Sequence, residues 1–327
     1  MDFVTKTKRS KIMKSIKSKD TKPELILRKF LFAQGLRYKI NYKKLPGKPD
    51  IVFFQSSIWT GAALCRKLKQ ENIPFMVSEH LKEFLIPNGF SAFNHRLIQQ
   101  TYSLCFKVIA TSKVLKKAIT KKFKIDENKI TLIPNPVDED VFTLKPPLKN
   151  QASISITTVA LFRQEKNIDL IIKAFYNILK SGINGNLNII GNGPLESNIK
   201  KQIKSLKITN QVKLWGYLSN QRIVEILHQS DVFIMGSSIE TFGVALIEAQ
   251  ACGVPAVATQ CGGPNDIILE EKGVLVGLNS EEELTQGLKN IIIKLDSYDS
   301  SIIRKRTLER FGKSIYSDSI KELILLF

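Results

Sequence analysis

The chain has 327 residues, enough for two or three domains with sizeable hydrophobic cores. Its 49 Lys/Arg outnumber its 30 Asp/Glu, and the formal net charge of +19 at pH 7 favours anionic partners. No apolar run approaches the ~20 residues that cross a bilayer, no signal-peptide core follows the N-terminus, and the four cysteines lack metal-ligand spacing. We therefore expect a cytoplasmic protein without a metal site, in peripheral contact at most with the inner face of an anionic membrane.

The positive charge is concentrated in residues 1–53, which contain 15 Lys/Arg and 4 Asp/Glu. A helix is predicted between the N-cap candidate Thr21 and the C-terminal Gly35, and an extended stretch then leads into the turn LPGKPD. Two interpretations of the charge stay open. The segment contacts the phosphates of nucleic acid or lipid, or it is a solvated lysine-rich face.

Four motifs in this segment, RSKIM, DTKPELILR, GLRY and LPGKPDIVF, resemble the N-terminal part of the very-short-patch DNA repair endonucleases. The resemblance implies that Asp50 binds a catalytic Mg²⁺ and that Glu24 assists it. The later histidines and the Cys/His zinc cluster of that family have no counterpart after Asp50. We therefore interpret residues 1–53 as an endonuclease-like fragment with a vestigial nuclease pair, which binds nucleic acid weakly.

Residues 54–147 alternate predicted helices and strands, as parallel sheets require. His80 follows the strand predicted at Pro74–Ser78, at the end of a strand where ligands gather in parallel sheets. A lone histidine is at least as often a hydrogen-bonded core residue, so both roles stay open on this evidence.

Residues 148–327 continue the alternation after a proline-containing linker at 145–151. The predicted strand Ser153–Val159 precedes a loop with Lys166 and a helix with apolar residues at helical spacing. The next strand, Leu187–Ile190, ends in the turn Gly191-Asn-Gly193-Pro, which is a weak signal by itself.

A βαβ unit is predicted at residues 231–259, with a helix at Phe242–Ala251. Glu240 lies in the loop before the helix and Glu248 two turns into it, so unpaired backbone N–H groups and the positive end of the helix dipole separate their carboxylates. Gly243 lets a ligand approach that backbone closely. The layout suits a molecule with hydroxyls at both ends and a phosphate in the middle, such as a nucleotide-sugar. The alternative is two solvated surface glutamates.

The motif E-x7-E, followed by A-x-A-C-G-V-P-A-V-A-T and a Gly-Gly pair, resembles the retaining glycosyltransferases of family 4, over about residues 54–327. The resemblance implies an α/β protein of GT-B fold with two Rossmann-like parallel-sheet domains. Residues 54–147 would form a truncated acceptor domain and residues 148–327 the nucleotide-sugar donor domain. The implied reaction is transfer of a hexose from a UDP- or GDP-linked sugar to a glycan or lipid-linked acceptor in polysaccharide biosynthesis, without a metal.

The resemblance also assigns roles to residues. It implies that Glu240 and His80 act at the transferred sugar as the catalytic residues and that Glu248 binds the ribose. The family carries Arg-x4-Lys on the donor diphosphate; Lys166 fits the Lys, but Leu161 stands at the Arg position and Arg163 lies two residues later. The full set of implied donor-binding residues is Lys166, Arg163, Gly191, Gly193, Thr241, Phe242, Gly243, Val244 and Glu248.

The first strand and Gly-rich loop of the family's acceptor domain have no counterpart in the sequence, so we expect reduced activity. Two other interpretations remain at this stage. One is a DNA-binding protein derived from a mismatch repair endonuclease. The other is a fusion or assembly artefact without a working site.

Overall fold

The structure is a computed structural model that describes residues 52–147 and 153–326. Over these ranges helices alternate with strands, and the strands form two parallel sheets, one of four and one of six strands. The strands are β1 Val52–Phe54, β2 Phe75–Glu79, β3 Lys107–Ala110, β4 Ile130–Leu132, β5 Ile154–Val159, β6 Gly185–Ile190, β7 Val212–Gly216, β8 Val232–Met235, β9 Ala256–Thr259 and β10 Gly273–Val276. The helices are α1 Ala62–Gln70, α2 Ala92–Leu104, α3 Lys113–Phe123, α4 Ile168–Lys180, α5 Glu196–Ser205, α6 Asn220–Leu227, α7 Val244–Ala251, α8 Pro264–Ile267, α9 Glu281–Ile293, α10 Ser300–Phe311 and α11 Lys313–Ile324.

The chain divides into two compact units. The described part of the first comprises residues 52–77 and 97–107, in which β1 pairs in parallel with β2. Phe54 and Phe75 pack together in this unit with their ring centroids 5.4 Å apart. The Thr101 hydroxyl donates to the Ser57 carbonyl oxygen at 3.2 Å, which ties α2 to the short π-helix that precedes α1.

The second unit comprises residues 78–96 and 108–327 and contains the six-stranded sheet. Its strand order is β10-β9-β8-β5-β6-β7, and every pair is parallel. The direction of the strand order reverses between β5 and β8, which are neighbours in space but not in sequence. Ligands of open α/β sheets bind at the carboxyl ends of strands at such a switch point. The loops that follow β5 and β8 are therefore the expected position of a site.

The large sheet is buried on both faces, because helices cover each side. Along β8, Phe233 and Met235 belong to one hydrophobic cluster, whereas Val232 and Ile234 belong to the other. On α4, Ile171 and the other apolar residues at helical spacing are buried in the second cluster. The apolar spacing predicted for this helix is confirmed, as is the parallel α/β fold.

The start of helix α7 differs from the prediction, and a side-chain cap sets the start of helix α10. Helix α7 begins at Val244 and not at Phe242, because Gly243 has a φ of +114° and ends the loop in a left-handed conformation. Helix α10 begins at Ser300, since the Asp299 carboxylate accepts the Ser301 N–H at 2.7 Å and the Ile302 N–H at 3.2 Å. Within residues 52–147 and 153–326, no helix is long and apolar enough to cross a bilayer.

A lysine side chain is fully buried at the start of β10. The Lys272 Nζ lies 5.6 Å from the centroid of the Phe311 ring and has no hydrogen-bond partner among the described residues. Burial, and then the positive charge of nearby Arg310, lower the pKa of Lys272 to about 7. Burial of this unpartnered amine therefore lowers the stability of the fold relative to an apolar side chain at the same position.

We expect Lys272→Met to raise the free energy of unfolding by about 1–3 kcal/mol near pH 7, because an apolar chain of similar length replaces an unpartnered amine. Between the folded pKa of about 7 and the reference value of 10.5, the unfolded wild-type chain binds more protons, so wild-type stability rises with pH. The advantage of the variant should therefore shrink across this window. Urea denaturation from about pH 6 to about pH 9 measures the difference in unfolding free energy between variant and wild type, and the exposed Lys201→Met is the control. A stability gain of Lys272→Met that does not vary with pH would contradict the expectation.

Candidate active site

Two loops of the second unit meet at the switch point of the large sheet. One connects β5 to α4 (residues 160–167) and the other connects β8 to α7 (residues 236–243). The Ser238 N–H donates to the Glu165 carbonyl oxygen at 2.9 Å, and the Asn167 side-chain amide donates to the Gly236 carbonyl oxygen at 3.0 Å. These hydrogen bonds hold the two loops against each other at the carboxyl ends of their strands.

Lys166, predicted to bind the donor diphosphate, and Glu240, predicted to bind the sugar, form an ion pair with each other. The Lys166 Nζ donates to the Glu240 Oε1, and the Ser237 hydroxyl donates to the same oxygen at 3.1 Å. The two side chains are only 21% and 15% exposed. An ammonium group and a carboxylate are thus available side by side, the first for a phosphate and the second for sugar hydroxyls.

The backbone of Glu240 is fixed by a pair of glycines. Its N–H donates to the Cys261 carbonyl oxygen at 3.0 Å, and its carbonyl oxygen accepts the Gly263 N–H at 2.9 Å, so that Glu240 forms a parallel bridge with Gly262. A Cβ atom at Gly262 would lie 2.5 Å from the Glu240 carbonyl oxygen, and one at Gly263 would lie 2.0 Å from that of Phe242. Glu240 can therefore take this position only because residues 262 and 263 have no side chains.

The N-terminus of α7 lies immediately after Glu240. Phe242 is buried, and its ring packs edge-on against Phe311 at 5.6 Å between centroids. Val244 is exposed at the first position of the helix, whereas the left-handed Gly243 before it is buried. The Thr241 hydroxyl points in another direction and donates to the His80 carbonyl oxygen at 3.0 Å. The side chains of Thr241 and Phe242 are thus used in packing, and only their backbone remains for an anion.

His80 follows β2 and is held by a hydrogen bond of 2.9 Å between its Nε2 and the Ser78 hydroxyl. Burial lowers the pKa of His80 below its usual value, so the imidazole is neutral near pH 7. A neutral imidazole can donate one hydrogen bond to a hydroxyl group and accept another, without adding charge to the site. Through Thr241, the backbone of His80 is joined directly to the loop that carries Glu240.

Glu248 lies one turn further into α7 and is largely buried. No ion pair or side-chain hydrogen bond joins its carboxyl group to the described residues. Instead, burial raises the pKa of Glu248 to about 7. Its negative charge is thus partly removed by protonation, and near neutral pH the carboxyl group can both donate to and accept from a pair of hydroxyls.

The two glycines after β6 shape the opposite side of the loop that carries Lys166. Gly191 has a φ of +136°, and a Cβ atom there would lie 1.9 Å from the Ala160 carbonyl oxygen. Gly193 has a φ of +156° and approaches the Phe162 backbone in the same way. Arg163 is exposed, and among the described residues its side chain forms no ion pair, so the structure leaves its predicted role open.

A second ion pair was not foreseen from the sequence. The Lys82 Nζ donates to the Glu165 carboxylate, beside Lys166. Burial alone would raise the pKa of Glu165, but the hydrogen bond from Lys82 holds it below its usual value. Nothing in the sequence distinguishes Lys82 among the many lysines. Asp50 and Glu24, the predicted nuclease pair, lie outside the described residues.

Two family models match the chain. The model described as glycosyl transferases group 1 matches residues 142–306, about half of the chain, and the model described as DNA mismatch endonuclease Vsr matches residues 1–59. Both resemblances found in the sequence are therefore confirmed.

Curated relatives and solved structures agree with the larger match. The GPI3 subunit of phosphatidylinositol N-acetylglucosaminyltransferase from Saccharomyces cerevisiae is 24% identical over 242 residues, 72% of this chain and 51% of the relative. Alpha-monoglucosyldiacylglycerol synthase from Acholeplasma laidlawii is 26% identical over 320 residues, 88% of this chain and 78% of the relative. The chain thus spans about half the length of the first of these relatives.

Among solved structures, Anabaena HepE in complex with UDP and glucose is similar with a TM-score of 0.74 and 18% identity, over 86% of this chain and 78% of that chain. At this identity the likeness shows the fold alone, and the expectation of a GT-B fold is confirmed. Since the group 1 model matches half of the chain, the protein belongs to the group 1 glycosyltransferases.

Proposed function

We propose that the protein transfers a hexose from a UDP- or GDP-linked donor to a lipid-linked or glycan acceptor, with retention at the anomeric carbon. The observation that carries this proposal is the Lys166–Glu240 ion pair beside the N-terminus of α7, at the switch point of the sheet. The reduced activity expected from the short first domain stays a prediction.

The donor would be held by groups of both signs. The diphosphate binds the backbone N–H groups at the start of α7 together with Lys166, while Glu248 binds the ribose hydroxyls. When the phosphate replaces Glu240 as the partner of Lys166, the Glu240 carboxylate becomes available to the sugar hydroxyls. HepE, which was solved with UDP and glucose, supports a uridine-linked donor.

The developing charge of the leaving diphosphate would be stabilised by Lys166 and the helix dipole. Both are fixed before the reaction, Lys166 by its short 3₁₀ turn and the helix by the buried Phe242. These groups would supply positive charge without a metal ion, and the resemblance to the family likewise implies metal-independent chemistry. His80, as a neutral imidazole, would accept or donate a hydrogen bond at a sugar hydroxyl.

Contact with an anionic membrane, where a lipid-linked acceptor would lie, is supported by a stripe of lysines on α3. Lys113, Lys117, Lys121 and Lys124 are all exposed and follow one another at helical spacing, whereas Leu115 and its apolar neighbours on the helix are buried. The names of both relatives include a lipid, phosphatidylinositol in one and monoglucosyldiacylglycerol in the other. Such a stripe is attracted to anionic lipid headgroups, each lysine near the surface contributing ~1 kcal/mol.

Binding of UDP and GDP tests the donor site. We expect Lys166→Met to weaken the preferred nucleotide by about 1.5–3 kcal/mol and Glu248→Ala by about 1–3 kcal/mol, because each removes a hydrogen bond to a charged or half-buried group. Lys173→Met, on the exposed face of α4, is the matched control. Isothermal titration calorimetry measures all four proteins, and unchanged affinity in both site variants for both nucleotides would refute this site.

Sedimentation with vesicles tests the lysine stripe. The double variant Lys117→Glu/Lys121→Glu reverses two exposed charges, so its binding to phosphatidylglycerol vesicles should fall at least tenfold while UDP binding is retained. The control reverses two lysines on another helix, as Lys201→Glu/Lys204→Glu in α5. Equal loss in both double variants, or equal binding to neutral phosphatidylcholine vesicles, would argue against a membrane role for α3.

A second candidate function rests on the match of residues 1–59 to the endonuclease family and on the basic charge of that segment. We expect the chain to bind duplex DNA weakly, with affinity that falls steeply as salt rises, and not to cut it. Hydrolysis needs further metal ligands and a group that handles the proton, and the sequence lacks the family's later histidines. A nicking assay on T·G-mismatched duplex with Mg²⁺ measures this; cleavage that disappears in Asp50→Ala would instead make the segment a working nuclease.

A further inference from the structure

The segment that follows β2, residues 80–86, begins with His80 and is anchored to α3 near its end. We call it the His80 segment. The Lys122 ammonium group, on α3, donates to the carbonyl oxygen of Glu83 at 3.0 Å and to that of Ile86 at 2.7 Å. These bonds fix the end of the segment. The position of His80 therefore depends on how the beginning of the segment is held.

Side-chain contacts join the beginning of the His80 segment to both loops of the candidate site. The Thr241 hydroxyl, in the loop between β8 and α7, donates to the His80 carbonyl oxygen at 3.0 Å. Two residues after His80, the Lys82 Nζ donates to the carboxylate of Glu165, in the loop between β5 and α4. The segment thus contacts the loop that carries Glu240 and, through Lys82, the loop that carries Lys166.

Glu165 lies where these contacts meet. Its carbonyl oxygen accepts the Ser238 N–H at 2.9 Å, which joins the two loops, while its carboxylate accepts from Lys82. Burial favours its neutral form, but the hydrogen bond from Lys82 and the positive charges of Lys82 and Lys166 hold the pKa of Glu165 below its usual value. The carboxylate is therefore ionised near pH 7. Its side chain is only 18% exposed, so solvent and salt screen this ion pair less than one on the surface.

The two ion pairs of the site differ in what a ligand can offer them. If a phosphate takes Lys166 from Glu240, the sugar hydroxyls of the same ligand can donate to the released carboxylate. A phosphate that took Lys82 from Glu165 would instead leave two anions beside each other without the ammonium group between them. The Lys82–Glu165 pair is therefore better suited to stay closed when a donor binds.

We propose that Lys82 and Glu165 are positioning residues, whose ion pair holds the His80 segment against the loop that carries Lys166. The inference rests on the proposed function, which places His80 at the sugar and Lys166 at the diphosphate of one donor. Because both ends of the segment are held, the imidazole and the ammonium group keep a fixed separation before the donor arrives. A preformed arrangement of this kind reduces the entropy lost on binding and reaction.

NMR titration of His80 in the full chain tests the proposal without any ligand. The double variant Lys82→Met/Glu165→Met removes the ion pair and leaves the net charge unchanged. The chain has three histidines, so the imidazole signal that is missing in His80→Gln identifies His80. Burial lowers the pKa of His80 from its ordinary value of 6.5. Release of the segment exposes the ring to water, so the pKa of His80 should rise toward that value in the double variant. Equal pKa values of His80 in the double variant and the parent would refute the proposal.

Two further proteins show whether the ion pair itself is responsible. Lys82→Arg retains the charge and the reach of the side chain, so the pKa of His80 should stay at its parent value. A rise as large as that in the double variant would mean that the packing of the lysine chain holds the segment, and would overturn the proposal. The matched control, Lys173→Met/Glu281→Met, removes an ion pair between α4 and α9 and should leave His80 unchanged.

Calorimetry with UDP and GDP separates positioning from direct binding of phosphate by Lys82. UDP lacks the sugar that His80 would contact, so the Lys82→Met/Glu165→Met variant should bind the preferred nucleotide within about twofold of the parent. This result would also show that the variant is folded. A loss as large as that in Lys166→Met would mean that Lys82 binds the diphosphate itself, which would overturn the positioning role. If the parent binds neither nucleotide, the proposed function fails, and the His80 titration still decides whether the pair holds the segment.

Discussion

The candidate site depends on how closely two stretches of backbone approach each other. Residues 240–242 lie against Gly262 and Gly263, and any side chain at either glycine would overlap a carbonyl oxygen. This approach permits the bridge between Glu240 and Gly262, which in turn directs the Glu240 carboxylate toward Lys166. The left-handed Gly243 then starts α7 immediately beyond the carboxylate. Three glycines thus bring an anion, a cation and a helix N-terminus into one small region.

The ionisable side chains of this region are neutralised in two different ways, by ion pairing and by burial. Lys166 and Glu240 neutralise each other, as do Lys82 and Glu165. Glu248 has no such partner among the described residues, and its carboxyl group stays partly protonated near pH 7 because of burial. His80 is kept neutral by the same cause. The candidate site residues thus combine one ion pair with two groups that can donate and accept hydrogen bonds without a full charge, a combination suited to a ligand with hydroxyls and an anionic centre.

The sequence predicted most of the strands and helices and the parallel sheets. Short apolar strands that alternate with amphipathic helices are compatible with few folds other than a parallel α/β sheet. It also singled out two candidate site residues, Glu240 within a long and specific motif and Lys166 at the Lys of the family's Arg-x4-Lys pattern. It did not show that these two side chains form a pair, since they are far apart in sequence and no local pattern encodes the contact. The steric role of Gly262 and Gly263, the Lys82–Glu165 pair and the buried Lys272 were missed for the same reason. The alternation of charge and apolar residues indicates burial of a segment, but not which side chain meets which.

The pairing of Lys166 with Glu240 has a kinetic consequence. In the proposed donor site, the carboxylate is a tethered counter-ion that is always present at high local concentration, whereas a nucleotide must arrive from solution. A bound diphosphate therefore competes with it for the ammonium group throughout its residence. On the proposed function, Glu240 would act as a built-in competitor for the spent nucleotide, and its return to Lys166 would offset part of the attraction that retains the product.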